Sequence, residues 1–306
     1  MVFLATSVFE ARDQSQPSQS LTPAARRVLE IAQRVTENAT PQRAASSTTT
    51  TIVGKSLPLF PELESAMPNH LARSSLFAPL KPGRRKMHDK AQLASRDDVE
   101  ILFSGKQFDM ADNDVLLQAF RVAQCFPTGH DVTFKRAAFL REIGRCTGKN
   151  DYTWLEESMD RLATGTLFIK TKHYKAVLHL VDAYGRSDTT GEYWLRIDPE
   201  VLKLFSRREY GFIDLEARRR IGRGQDLAKW LQNYVGSHEA GKRHTVAVQF
   251  LKEWSGTEGR IRDFLTRGLP RALAELKQVE VILDPVIRED GRVTWFKPPR
   301  SARASG

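Results

Sequence analysis

Residues 247–277 read AVQFLKEWSGTEGRIRDFLTRGLPRALAELK, and the interpretation of this stretch decides the fold. Ala247 to Trp254 has helical character, Ser255-Gly256-Thr257-Glu258-Gly259 is a turn, and a second helix is predicted from about Arg260 to Lys277. Two helices joined by a short glycine-containing turn mark a helix-turn-helix. Upstream, Asp226 to Ser237 reads as another helix and His244 to Val246 as a short strand. Downstream a hairpin is predicted, with Val279 to Leu283 and Val293 to Phe296 flanking the turn Glu289-Asp290-Gly291. That order of elements predicts a winged helix.

Towards the N-terminus the same order recurs. Val99 to Phe103 alternates like a strand, and Asp112 to Gln124 reads as a helix with Asp112 or Asn113 as its cap. A strand at Val132 to Phe134 leads to a helix, Arg136 to Cys146, then the turn Thr147-Gly148-Lys149-Asn150 and a helix from Tyr152 to Ala163. Gly165 stops it, and strands are predicted at Leu167 to Lys172, Ala176 to Ala183 and Tyr193 to Ile197. Phe139-Leu140-Arg141-Glu142-Ile143 aligns with Phe250-Leu251-Lys252-Glu253-Trp254. Leu155, Met159, Leu162, Leu167 and Ile169 align in turn with Leu269, Leu273, Leu276, Val281 and Leu283. Two matching blocks in one order, each at a helix-turn-helix junction, indicate an internal repeat.

The predicted fold class is therefore α+β: two tandem winged-helix domains after a largely disordered N-terminal tail. The tail covers 1–54, rich in Ser, Thr, Gln and Ala, too poor in apolar surface to offset chain entropy. One short helix is predicted within it, from Thr22 to Glu37, because Thr22-Pro23 is a start signal. Residues 55–88 are expected to form a linker carrying docking motifs, with apolar islands between prolines and the basic run Lys81 to Lys86. The two winged helices are placed at 89–213 and 214–300.

Composition agrees with a nucleic-acid partner. Lys and Arg outnumber Asp and Glu by 47 to 37 over 306 residues, a net charge of +10. Two cysteines, Cys125 and Cys146, do not make a secreted disulfide framework, and a cytosolic location is expected. No apolar run approaches the roughly 18 residues of a membrane span, and Met1 to Phe9 lacks the charged start of a signal peptide.

A helix in the major groove needs long polar side chains on one face and core residues on the other. In the helix after Gly259, the residues Ile261, Leu265, Leu269, Leu273 and Leu276 are predicted to face the core. Arg260, Arg267 and Arg271 lie opposite them, with Arg262 and Thr266 alongside, and Pro270 is expected to bend the helix. A solvated basic face is the plainer alternative. In the first half the equivalent helix is acidic (Glu156, Glu157, Asp160), so backbone contact rather than base reading is expected there. Lys149, Asn150, Tyr152 and Thr153 are placed nearest the groove. Lys170, Lys172, His173 and Lys175 sit at the first predicted ribbon turn, where a wing reaches phosphates, although a solvated basic turn reads the same way.

Other chemistries lack their residues. Gly54-Lys55-Ser56 resembles the end of a phosphate-binding loop, yet Thr49 stands where that motif needs glycine. A nicking initiator needs two histidines separated by one apolar residue, and none of the seven histidines is so arranged. No metal-ligand spacing is present, Asp112 and Asp114 read as helix-start acids, and neither a metal nor another cofactor is expected.

The stretch from Ser56 to Phe77 resembles the TrfA family of plasmid replication initiators, most closely in Ser65-Ala66-Met67-Pro68-Asn69 and Ala72-Arg73-Ser74-Ser75-Leu76-Phe77. Family members carry a glutamine-leucine-serine-leucine-phenylalanine motif for docking on the polymerase sliding clamp. Ser56-Leu57-Pro58-Leu59-Phe60 holds that place, so the resemblance implies clamp binding by Leu57, Leu59 and Phe60. Phe264, Arg267, Leu269, Pro270, Ala272 and Leu276 are similar to the recognition-helix pattern of iteron-binding initiators. The resemblance spans roughly 55–297. It implies binding of repeated origin sites (iterons) in double-stranded DNA as a monomer, opening of an AT-rich segment, and recruitment of the host initiator and replicative helicase. It also implies an inactive homodimer formed through the first domain. A winged-helix transcriptional repressor is the alternative reading, since its recognition helix would look the same.

Overall fold

The computed structural model describes residues 55–80, 83, 85–187, 189–190 and 192–299. The predicted tail and its helix lie outside these residues, as do Lys81, Pro82 and Arg84 of the basic run. In chain order, β1 (Glu64–Pro68), α1 (Asn69–Ala72), β2 (Phe77–Ala78), β3 (Met87–Gln92), β4 (Val99–Lys106) and β5 (Phe108–Asp109) precede the first long helix, α2 (Met110–Ala123). There follow β6 (Val132–Phe134), α3 (Arg136–Glu142), α4 (Lys149–Thr164), β7 (Thr166–Thr171), β8 (Lys175–His179), β9 (Ala183–Arg186) and β10 (Tyr193–Arg196). A 3₁₀ segment (Pro199–Arg208) leads through β11 (Tyr210–Asp214) and α5 (Leu215–Arg220) to α6 (Asp226–Gly236), β12 (Lys242–Ala247) and α7 (Val248–Trp254). The chain then forms α8 (Ile261–Asp263), a π-helical turn (Phe264–Gly268), α9 (Leu269–Gln278), β13 (Leu283–Ile287) and β14 (Arg292–Lys297).

The two winged helices share one sheet plan. In the first half the strand before the helix-turn-helix pairs with the last strand, which also pairs with its predecessor, giving the order β6-β10-β9. The second half has the order β12-β14-β13. The helical part of the sequence repeat also holds, because Leu155, Met159 and Leu162 are as buried in α4 as Leu269, Leu273 and Leu276 are in α9. The last aligned pairs separate. Leu167 and Ile169 belong to β7, which joins an antiparallel sheet of order β3-β4-β7-β8, absent from the second half. The inserted hairpin β7–β8 carries the alternation expected of a wing. Pairing with β4, distant in sequence, is what removes it from that role.

Helix α2 sits at the centre, and its boundary corrects the expected cap. Asp109 is extended at φ −117° and its carboxylate accepts from the Ala111 and Asp112 amides at 3.0 and 2.9 Å. The Asp112 carboxylate accepts in return from the Asp109 amide at 3.1 Å, closing a capping box. Asp112 therefore stands in the first turn of the helix and is not its cap, with Asn113 and Asp114 following it. Asp112 is fully buried and receives Arg161 at 2.8 Å, Arg85 at 2.6 Å and the Ser158 hydroxyl at 2.6 Å. Asn113 and Asp114 face the second half. Arg218 of α5 donates to Asn113 Oδ1 at 2.7 Å and to Asp114 at 2.5 Å, and Lys229 of α6 reaches Asp114 at 2.5 Å. Asn233 adds a bond to Asn113 Oδ1 at 2.9 Å. A buried polar knot thus joins the two halves.

Residues 57–78 pack into the core instead of forming the expected linker. Leu57, Ala66, Met67, Leu71, Leu76 and Phe77 are buried, and β1 pairs antiparallel with β11 in a register joining Ala66 to Phe212. At Gly211 this arrangement tolerates no side chain, since a Cβ would lie 2.1 Å from the Gly236 carbonyl oxygen. Gly211 lets β11 meet the end of α6. Among the described residues no helix is long and apolar enough to cross a membrane.

Candidate nucleic-acid interface

The helix predicted over Arg260–Lys277 is broken into three pieces. Pro270 has no amide hydrogen, so the Thr266 carbonyl finds no partner four residues on. The chain widens into a π turn instead, closed by the Leu269 amide donating to the Phe264 carbonyl, five residues back. This changes the phase of the preceding turn. Phe264, Leu269, Ala272, Leu273 and Leu276 are buried, whereas Ile261, expected in the core, is 48% exposed.

All five candidates on this segment, Arg260, Arg262, Thr266, Arg267 and Arg271, are exposed. Arg267 pairs with Asp263 one turn back at 2.5 Å, and the Thr266 hydroxyl donates to the Arg262 carbonyl at 2.8 Å. No salt bridge engages Arg260, Arg262 or Arg271 among the described residues. The segment therefore offers guanidinium groups whose counter-charge must come from outside, the condition for pairing with phosphate or a guanine edge.

Sequence reasoning located the second wing turn but passed over its cations. Arg288 and Arg292 flank Asp290-Gly291, both exposed, with Arg288 Nε 3.6 Å from the Asp290 carboxylate. Their only signal was a positive charge on each side of a hairpin turn. Gly291 makes that turn at φ +74°.

In the first half, α4 begins at Lys149, so Lys149 and Asn150 lie in the helix rather than in the turn before it. Lys149, Asn150 and Thr153 are exposed on its first turns, and the Thr153 hydroxyl donates to the Lys149 carbonyl at 3.3 Å. Tyr152 is half-buried beneath the Arg136 guanidinium, 3.7 Å from its ring centre. The acidic face of α4 is answered by its neighbours. Glu156 accepts from Arg136 and from the Tyr193 hydroxyl, each at 2.9 Å, and Asp160 accepts from Tyr184 at 2.6 Å. Burial and the Asp160 hydrogen bond push the Tyr184 phenol well above its usual range, so it stays a donor. These carboxylates brace the wing strands β9 and β10 rather than facing a phosphate unpaired.

Lys170 and Lys172 are exposed at the β7–β8 turn, with His173 and Lys175. Lys170 lies 3.7 Å from Glu100, and His173 is hydrogen-bonded with Arg207 at 3.0 Å. This turn belongs to the four-stranded sheet, and the wing of the first half is the β9–β10 hairpin instead. Of the expected docking residues, Leu59 is 76% exposed while Leu57 and Phe60 are in the core. The Phe60 amide donates to Gln124 Oε1 at 2.7 Å, and Ser56 bridges to Pro127.

A family model described as TrfA protein matches residues 25–258. The fold is similar to the Pi initiator protein solved in complex with iteron DNA, at 14% identity and a TM-score of 0.53, covering 79% of this chain and all of that one. It is also similar to domains 2 and 3 of RctB, at 13% identity and a TM-score of 0.52, covering 73% of this chain and 95% of that one. No curated protein matches the sequence.

Proposed function

The chain belongs to the TrfA family, and from that premise we propose that it initiates plasmid replication by binding repeated origin sites, without catalysis of its own. In this reading the winged helices at 89–213 and 214–300 act as separate DNA-binding domains. The second reads bases through Arg260, Arg262, Thr266, Arg267 and Arg271. The first holds backbone through Lys149, Asn150 and Thr153, with Tyr152 positioned beneath Arg136. The observation that carries the proposal is that Arg260, Arg262 and Arg271, on the segment that follows the second helix-turn-helix turn, are exposed and make no salt bridge among the described residues. The fold it shares with an initiator solved on iteron DNA supports the same reading.

The test is footprinting on the plasmid that encodes the protein. Directly repeated protected sites are expected, and one palindrome beside a promoter would indicate a repressor instead. Affinity should fall with salt at a slope of about −0.9 per phosphate neutralised. Recruitment of host initiator and helicase and self-association of an inactive form complete the proposal. Clamp docking through Leu57, Leu59 and Phe60 belongs to it only for a state in which residues 56–60 have left the core, because a docked peptide must bury its anchors in the partner.

A further inference from the structure

Where the two halves meet, a cavity of about 310 Å³ opens between α2, the end of α3, α5 and the first turn of α6. Its lining reaches α9 through Gly222, whose amide donates to Glu275 Oε1 at 2.5 Å. That volume is at the small end of the range for small-molecule sites.

Three features of its lining point to one kind of ligand. Arg220 and Arg223 line it, are exposed, and make no salt bridge among the described residues. Helix α6 (Asp226–Gly236) opens onto it with Gln225 at the cap position and no side-chain hydrogen bond to its first amides. Such a helix start favours an anion. Third, Gln118 of α2 is 5% exposed, lines the same cavity, and its carboxamide oxygen has no hydrogen-bond partner among the described residues. A half-turn of the terminal torsion exchanges its oxygen and nitrogen, so the amide can present a donor or an acceptor.

The acids of the lining do not cancel this bias. Asp114 is committed to Arg218 and Lys229, and Glu142 to Arg219 at 3.2 Å. With Asp226 the lining holds three acids against the five cations Arg218, Arg219, Arg220, Arg223 and Lys229, and burial shifts the Asp226 carboxyl upward from its ordinary value. A bare phosphate would satisfy the arginines and the helix start but leave the buried amide unanswered. A duplex backbone cannot insert a group as deep as Gln118.

We propose that this cavity binds a mononucleotide, its phosphates held by Arg220, Arg223 and the first amides of α6, its base presenting a hydrogen-bonding edge to Gln118. The ligand would touch α2 and α3 of the first half and α5 and α6 of the second.

The experiment is calorimetric titration of the full chain with ATP, GTP, AMP and, separately, inorganic phosphate. One equivalent of a nucleotide should saturate the protein, with inorganic phosphate at least about tenfold weaker. Arg220→Ala with Arg223→Ala should weaken nucleotide binding by about tenfold or more. Both residues are exposed, so the double variant retains the fold, which circular dichroism verifies. Gln118→Leu should weaken nucleotide binding towards that of inorganic phosphate while phosphate binding is kept. Absence of saturation by any nucleotide at about 1 mM would overturn the proposal. So would unchanged nucleotide binding in the double arginine variant, or binding of phosphate as tight as that of the nucleotides.

Discussion

Asp114 offers the sharpest test of how the two halves are held together. Its carboxylate lies 2.5 Å from Arg218 Nε and 2.5 Å from Lys229 Nζ, and the three side chains are 11%, 4% and 21% exposed. Replacing Asp114 with Ala removes the counter-charge but leaves Arg218 buried. Arg218 would keep its bonds to Asn113 at 2.7 Å, the Lys229 carbonyl at 3.1 Å, Gln232 at 3.1 Å and Asn233 at 3.2 Å. Those acceptors are neutral, so the cation stays uncompensated, whereas Lys229 can swing towards solvent. Breaking one side of such a pair costs about 3–5 kcal/mol, a large part of the roughly 5–15 kcal/mol by which a domain is stable. Adding Arg218→Met to Asp114→Ala should restore part of the loss, since the stranded charge disappears with it.

The assay is urea unfolding followed by tryptophan fluorescence, with circular dichroism as a second probe of two-state behaviour. Burial opposes the ionised carboxyl, but Arg218 and Lys229 outweigh it and hold Asp114 below its ordinary value of 3.8. A depressed carboxylate stabilises the fold above that value and loses this contribution as pH falls through the folded pKa. The difference between wild type and Asp114→Ala should therefore be full at pH 7 and shrink below about pH 4. A loss under about 1 kcal/mol at pH 7 would refute the reasoning, because it would equate the knot with a surface ion pair.

Arg271→Ala should weaken origin binding by about 1–3 kcal/mol if it reads a base, and Arg267→Ala is expected to cost less because Asp263 already holds Arg267; gel-shift titration measures both. Unchanged affinity in the Arg271 variant would remove that residue from the interface. Burial, and then the nearby Arg73, push His238 down to about 3, while its ring Nδ1 lies 2.7 Å from the Tyr234 carbonyl oxygen. A histidine neutral in the fold and protonated when unfolded makes stability rise with pH from about 3 to 6.5, by about 1.4 kcal/mol per unit at most. His238→Gln should flatten that dependence in acid-unfolding curves, and an equally steep curve would locate the acid sensitivity elsewhere. Leu57→Ala should destabilise the fold by about 2–5 kcal/mol and Leu59→Ala by less than about 0.5 kcal/mol. Equal effects in thermal unfolding would contradict the packing of 57–60.

Periodicity alone located both helix-turn-helix units, because the information for a helix lies within one turn of each residue. Leu155, Met159 and Leu162 are three or four apart, and their burial follows from spacing whatever they pack against. The exposure of Arg260, Arg262, Arg267 and Arg271 was legible for the same reason. Ile261 was not, since the phase shift arises where the ladder re-forms around Pro270, and a helical wheel assumes that ladder is unbroken. Strand partners were beyond the sequence too. β7 and β10 both read as strands in the sequence, and only pairing with β4, or with β6 and β9, decides which of them belongs to the wing. The segment 57–78 looked like a linker because its apolar residues form islands between prolines, yet they meet the core in space. Asp112 does stand in the first turn of α2, but that it and Asp114 are buried and paired depends on Arg161 and Arg218, contributed by distant helices. Sequence by itself determined where the helices of both helix-turn-helix units lie and, away from Pro270, which of their faces are apolar. Tertiary structure decided which strand is a wing, which charges are buried and paired, and what remains free at the surface, because each depends on groups far apart in the chain.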